Sequence, residues 1–95
     1  MTKDEAYRIV VDAINEIQEL SGREIIDITD RMRPIGDLQG FDSANGLELT
    51  MSLAEKSDVE IPLDENILVS EDGSRALTVG EVATRLLKFV NQSEK

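Results

Sequence analysis

The sequence predicts an all-α domain, a small four-helix bundle with a long loop between its first and second helices. Three observations predict it. Apolar residues recur at three- and four-residue steps near both ends of the chain, the period of a helix with one buried face. Both segments open on a threonine followed three positions later by a glutamate, Thr2 with Glu5 and Thr78 with Glu81, the spacing of a capping box. With 95 residues there is room for one modest core, so residues 1–95 are read as one domain.

The first helix is placed at about residues 4–20. Ala6, Ile9, Val10, Ala13, Ile14, Ile17 and Leu20 form its apolar stripe, and Ser21-Gly22 ends it, since glycine accepts the left-handed conformation that closes a helix. Arg23 to Phe41 is the long connection, interrupted by Pro34, Gly36 and Gly40. Within it Ile25, Ile26 and Ile28 are expected to enter the core.

The second helix is placed at 42–56, opening on Asp42 or Ser43, both good N-cap residues. At about 100° per residue, Ala44, Leu47, Met51 and Ala54 share one side, while Leu49 and Leu53 lie opposite, near Gly46. A chain this short can hardly bury a helix all round. One stripe is therefore expected to face the core and the other to await a partner. Gly46 costs about 1 kcal/mol against alanine inside a helix, which points to close packing there. After Ile61-Pro62, a short third helix is placed at 63–68, then a small hairpin pairing 67–69 with 75–77 around a turn at Glu71-Asp72-Gly73-Ser74. The last helix is placed at 79–91, with Val79, Val82, Ala83, Leu86, Leu87, Phe89 and Val90 inward, and residues 92–95 are expected to fray.

Composition narrows the chemistry. One tyrosine, two phenylalanines and no tryptophan make an aliphatic core. Cysteine and histidine are both absent, which removes disulfides, the usual zinc ligands, a thiol nucleophile and an imidazole base. The chain is therefore not read as an enzyme, and no catalytic or metal-ligating residue is assigned. No apolar stretch approaches the roughly 20 residues that cross a bilayer, and MTKDEAYRIV lacks the basic-then-apolar order of a secretion signal. A cytoplasmic monomer is expected.

The net charge of −10 is unevenly spread: −3 over Met1–Gly36, −9 over Asp37–Asp72 and +2 over Gly73–Lys95. The acid is densest around the second helix. Such a field repels nucleic acid and anionic membrane, and it draws in basic protein surfaces. The serine at the mouth of this helix, Ser43, has no histidine with which to build a hydrolytic triad. Its plain reading is a helix cap. Its functional reading is modification, because free N–H groups and partial positive charge at a helix start favour an attached phosphate.

Gly40-Phe41-Asp42-Ser43, then Leu47-Glu48-Leu49, Met51-Ser52-Leu53, Glu55 and Glu60-Ile61-Pro62, together resemble the second-helix region of acyl carrier proteins. Leu77-Thr78-Val79 at the opening of the last helix extends the resemblance, which covers most of the chain. It implies that Ser43 receives a covalent 4'-phosphopantetheine arm from coenzyme A, installed by a phosphopantetheinyl transferase with Asp42 supporting the reaction. The terminal thiol of that arm would carry acyl or aminoacyl groups as thioesters, so the sulfur missing from the chain would come from the cofactor. The resemblance also implies that loading and downstream biosynthetic enzymes dock basic surfaces on Ala44, Leu47, Glu48, Met51 and Glu55. Fatty-acid, polyketide and related biosynthesis are the corresponding settings.

Four features depart from the common pattern of that family. Ala44 follows the serine where a large apolar residue is usual, Asn45-Gly46 replaces a more helix-favouring pair, and Ser57 stands where an aromatic is common. The stretch between Pro62 and Val79 is longer than in a typical fatty-acid carrier. Together these imply a specialised, stand-alone carrier. The alternative readings are an unmodified interaction module that docks basic partners on the same acidic helix, and an acidic decoy of a nucleic-acid-binding protein.

Overall fold

A computed structural model describes residues 1–24, 27–38, 40–62, 66–70 and 72–93, without the side chains of Ser43 and Ser93. Four helices occur among the described residues: α1 (Lys3–Leu20), α2 (Pro34–Asp37), α3 (Ser43–Ser57) and α4 (Val79–Ser93). The protein is a small all-α bundle in which α1 packs against both α3 and α4. No helix among the described residues is long and apolar enough to cross a membrane.

Local chemistry sets the ends of α1. The Thr2 hydroxyl accepts the Glu5 N–H at 3.1 Å, and the Glu5 carboxylate accepts the Thr2 N–H at 3.1 Å, so the capping box closes in both directions. At the other end Gly22 takes φ +71°. The Gly22 N–H then reaches the Glu19 carbonyl at 3.0 Å, and the Arg23 N–H reaches the Gln18 carbonyl at 2.8 Å. These two bonds form a Schellman motif. Ala6, Val10, Ala13, Ile14 and Ile17 are buried as the stripe requires, and Ile9 is partly buried against them. Leu20 departs from the stripe at 88% exposed, and Gln18, at 4%, is the buried side chain nearest that end.

The long connection contains one helical turn. Within α2, Ile35 and Gly36 leave helical dihedrals, with Gly36 at φ +114°. The turn is held by the Asp37 carboxylate, which accepts the Arg33 N–H at 2.8 Å. Pro34, Leu38 and Phe41 are buried here, and Ile28 is partly buried. Ile25 and Ile26, expected in the core, lie outside the described residues.

This connection also closes the start of α4. The Val79 N–H donates to the Met32 carbonyl at 2.7 Å and the Gly80 N–H to the Asp30 carbonyl at 2.9 Å. The Thr78 hydroxyl takes the Glu81 N–H at 3.2 Å, while the Glu81 carboxylate takes the Thr78 N–H at 3.0 Å. The first three amides of α4, orphaned in an isolated helix, are thus all paired. The Arg75 guanidinium, 2.8 Å from the Glu81 carboxylate, acts with the Thr78 N–H to hold that carboxyl well below its ordinary range, at about 2. Val79, Val82, Ala83, Leu86 and Val90 of α4 are buried. The helix continues to Ser93, two residues past its expected end, and Glu94 and Lys95 lie outside the described residues.

Of the short helix expected at 63–68, residues 63–65 lie outside the described residues, and 66–68 form a turn. Their amides have non-helical acceptors: the Asn66 side chain takes the Leu68 N–H at 3.0 Å, and Thr50 Oγ1 takes the Ile67 N–H at 3.1 Å. Ile67 and Leu68 are nonetheless fully buried. The expected hairpin is present as one antiparallel bridge between Val69 and Ala76, flanked by Leu77 N–H to Leu68 carbonyl at 2.8 Å and Ser70 N–H to Arg75 carbonyl at 2.9 Å. The Arg85 guanidinium ties this segment to α4 through the carbonyls of Asn66 and Val69.

The end of α3 gives a first prediction. Asp58 follows the helix at φ +53°, and the Val59 N–H to Ala54 carbonyl bond of 3.0 Å completes a Schellman motif there. An L-residue is strained in that region, and a carboxylate opposes the negative helix end. Asp58→Gly is therefore expected to raise stability by about 0.5–1 kcal/mol, read as a higher urea midpoint at unchanged slope.

Candidate functional site

Residues at the start of α3 divide cleanly by role. Asp42 is extended (φ −123°, ψ −169°) and is the N-cap. Its carboxylate accepts the Asn45 N–H at 3.1 Å, and Asn45 Oδ1 accepts the Asp42 N–H at 3.3 Å. This is a capping box with asparagine in the place more often held by Glu or Gln. Ser43 is therefore the first helical residue rather than the cap, and the plain reading of it as the cap does not hold. The reason is positional: only Asp42 has a residue three places on whose side chain can reach back to it. The Ser43 side chain lies outside the described residues. The next amide, Ala44 N–H, makes no hydrogen bond among the described residues.

Behind the cap lies a polar cluster that the sequence reading did not identify. Arg23 Nη1 donates to Gln18 Oε1 at 2.9 Å and to Asn45 Oδ1 at 3.3 Å. Both acceptors are in buried residues, Gln18 at 4% and Asn45 at 7% exposed. Gly40, at φ +73°, lies so close that a Cβ there would sit 2.8 Å from Arg23 Nε. The clues in the sequence were faint: a glutamine interrupting an apolar stripe, and an arginine just past its glycine stop.

The two apolar stripes of α3 separate as expected except at Ala54, which was expected on the outer side and is partly buried against the core near the end of the helix. Leu49 and Leu53 are fully buried, and Thr50 is 2% exposed beside them. Opposite, Ala44, Leu47, Glu48, Met51 and Glu55 are all exposed, Leu47 at 46% and Met51 at 59%. Their offsets of three, four, seven and eleven residues from Ala44 place them on one face. Leu47 and Met51 are two of the four large apolar side chains exposed among the described residues. Neither Glu48 nor Glu55 forms an ion pair among those residues, whereas Lys56, the single base of α3, is drawn to Glu16 on α1 at 2.7 Å. The outward face is apolar at its centre and carries unpaired negative charge.

Gly46 is explained by the inner side. A Cβ at this position would lie 2.7 Å from Asn66 Oδ1. The Thr50 hydroxyl donates to the Gly46 carbonyl at 2.8 Å while accepting the Ile67 N–H. The 66–68 turn thus rests directly on the helix backbone, which only glycine permits without displacing the Asn66 amide. Among the described residues no group of three or more Asp or Glu side chains is placed to hold a metal ion. A comparison with protein-family models, curated proteins and solved structures gives no match.

Proposed function

We propose that the protein is a carrier that holds acyl or aminoacyl groups as thioesters on a 4'-phosphopantetheine arm attached to Ser43. The observation that carries this reading is the two-sided α3. It begins at Ser43, seats Leu49 and Leu53 in the core, and leaves Leu47 and Met51 uncovered beside Glu48 and Glu55. An apolar face of that kind suits a partner whose docking surface is basic around an apolar centre. The resemblance of Gly40–Ser43, Leu47–Leu49 and Glu60–Pro62 to acyl carrier proteins supplies the identity of the arm.

The chain's own residues suit a phosphodiester at Ser43. The phosphate would sit at the positively polarised start of a 15-residue helix, beside an Ala44 N–H that has no partner among the described residues. The Asp42 carboxylate is turned to the Asn45 amide, which keeps the junction ordered while its remaining acceptor capacity stays available. When bound, the arm supplies a thiol that forms the thioester. The partners on this reading are the transferase and the enzymes that load and use the cargo.

Incubation with coenzyme A, magnesium and broad-specificity phosphopantetheinyl transferases is expected to add one arm per chain, seen in the intact mass and mapped to the peptide containing Ser43. An unchanged mass with several transferases would overturn the carrier reading and leave an acidic docking face as the function of α3.

A further inference from the structure

We infer that Arg23 is a positioning residue for the Ser43 site, clamping the loop that enters α3 and the first turn of α3 onto the end of α1. The inference rests on the carrier reading for its functional part and on geometry for the rest. The Arg23 backbone is fixed by the helix-ending bond of its N–H to the Gln18 carbonyl at 2.8 Å. Its side chain then returns to the same residue, at Gln18 Oε1, and extends to Asn45 Oδ1. The guanidinium thus joins α1 to α3 directly, against the backbone of Gly40 two residues before the cap.

Charge explains only half of this placement. Among the described residues no carboxylate pairs with Arg23. A cation suits the negatively polarised end of α1, which it follows, but opposes the positively polarised start of α3. The reach to Asn45 therefore rests on hydrogen bonding. What the guanidinium offers is one nitrogen, Nη1, held in a rigid plane, whose N–H groups reach Gln18 Oε1 and Asn45 Oδ1 in fixed directions. The acceptor it shares is the decisive one: Asn45 Oδ1 also takes the Asp42 N–H. One oxygen therefore carries both the clamp and half of the capping box, so the orientation of Asp42-Ser43 depends on where Arg23 holds Asn45. Removing the guanidinium leaves Gln18 Oε1 with no donor among the described residues and lets Asn45 turn.

The test compares Arg23→Met, Arg23→Lys and a control, Val82→Ala. The control is buried in α4, near Thr84, which contacts Lys3 at the opposite end of α1. Steady-state transfer of the arm from coenzyme A is measured with the full chain as the varied substrate, and amide exchange is followed in the same proteins. Arg23→Met is expected to raise KM about tenfold, the weight of its charged hydrogen bond to Asn45, with kcat nearly unchanged. Exchange should quicken at Asn45 and Gly46 relative to the amides of α4. Arg23→Lys should recover only part of the KM, because an ammonium on a flexible stem does not hold its donors in those fixed directions. Val82→Ala should lower overall stability and leave KM alone. Equal KM changes in Arg23→Met and Val82→Ala, or unchanged exchange at Asn45 and Gly46, would overturn the inference. If the natural sequence itself accepts no arm, the carrier reading fails, and the exchange data alone decide whether Arg23 holds the junction.

Discussion

Leu49→Ala and Leu53→Ala are each expected to cost about 2–5 kcal/mol of folding stability, whereas Leu47→Ala and Met51→Ala should each change it by less than about 0.5 kcal/mol. All four positions lie within seven residues of one helix, and alanine suits a helix at each of them. Propensity therefore cannot produce the contrast. The difference comes from burial, since Leu49 and Leu53 are 0% exposed while Leu47 and Met51 are 46% and 59% exposed. Truncating a buried leucine loses its transfer free energy and leaves a cavity that neighbours fill only in part. A domain of this size has about 5–15 kcal/mol in total, so either core substitution removes a large share of it. Urea denaturation of the four variants reads the contrast directly. Comparable losses at Met51 and Leu53 would mean that the outer face is covered in solution, by a second copy or another molecule, and the expected monomer would be wrong.

The parts of this architecture that were legible in the sequence are those set by a few consecutive residues. Thr2 with Glu5 and Thr78 with Glu81 fix the starts of α1 and α4 because the reciprocal bonds close within four residues. The two faces of α3 follow from spacing except at Ala54, which packing draws against the core. What was hidden depends on residues far apart in the chain. The turn at 66–68 is non-helical because Thr50, seventeen positions before Ile67, captures an amide that a helix would use. Gly46 looks like a weak point in a helix until Asn66 is seen against it. The burial of Pro34, Leu38 and Phe41 depends equally on tertiary packing, which overrides the breaks that proline and glycine signal.

The candidate site shows the same division. Asp42 and Ser43 are both acceptable caps, and the choice between them needed only Asn45, three residues beyond Asp42, a spacing present in the sequence itself. Arg23 had no comparable local signature, because its partners Gln18 and Asn45 come from two different helices. Periodicity reports which face of a helix is buried, but it carries no information about which polar groups meet behind that face.

The assignment of Asp42 as cap and Ser43 as first helical residue makes the remaining prediction sharp. On the proposed carrier function, Ser43→Ala is expected to abolish loading of the arm completely while changing stability by less than about 0.5 kcal/mol, because no cap is lost. Asp42→Ala should behave oppositely in stability, losing about 1 kcal/mol with the Asn45 N–H acceptor. Its loading should slow without disappearing, since the serine nucleophile is still there. Asp42→Asn then separates the two roles of the aspartate, because asparagine caps a helix as well as aspartate does but carries no charge. Stability restored with loading still slow would assign the Asp42 carboxylate to the transfer reaction. Loading restored together with stability would assign it to holding the junction. Intact-mass time courses and urea midpoints on the three variants measure both quantities, and an arm found on Ser43→Ala would place the attachment elsewhere and refute the site.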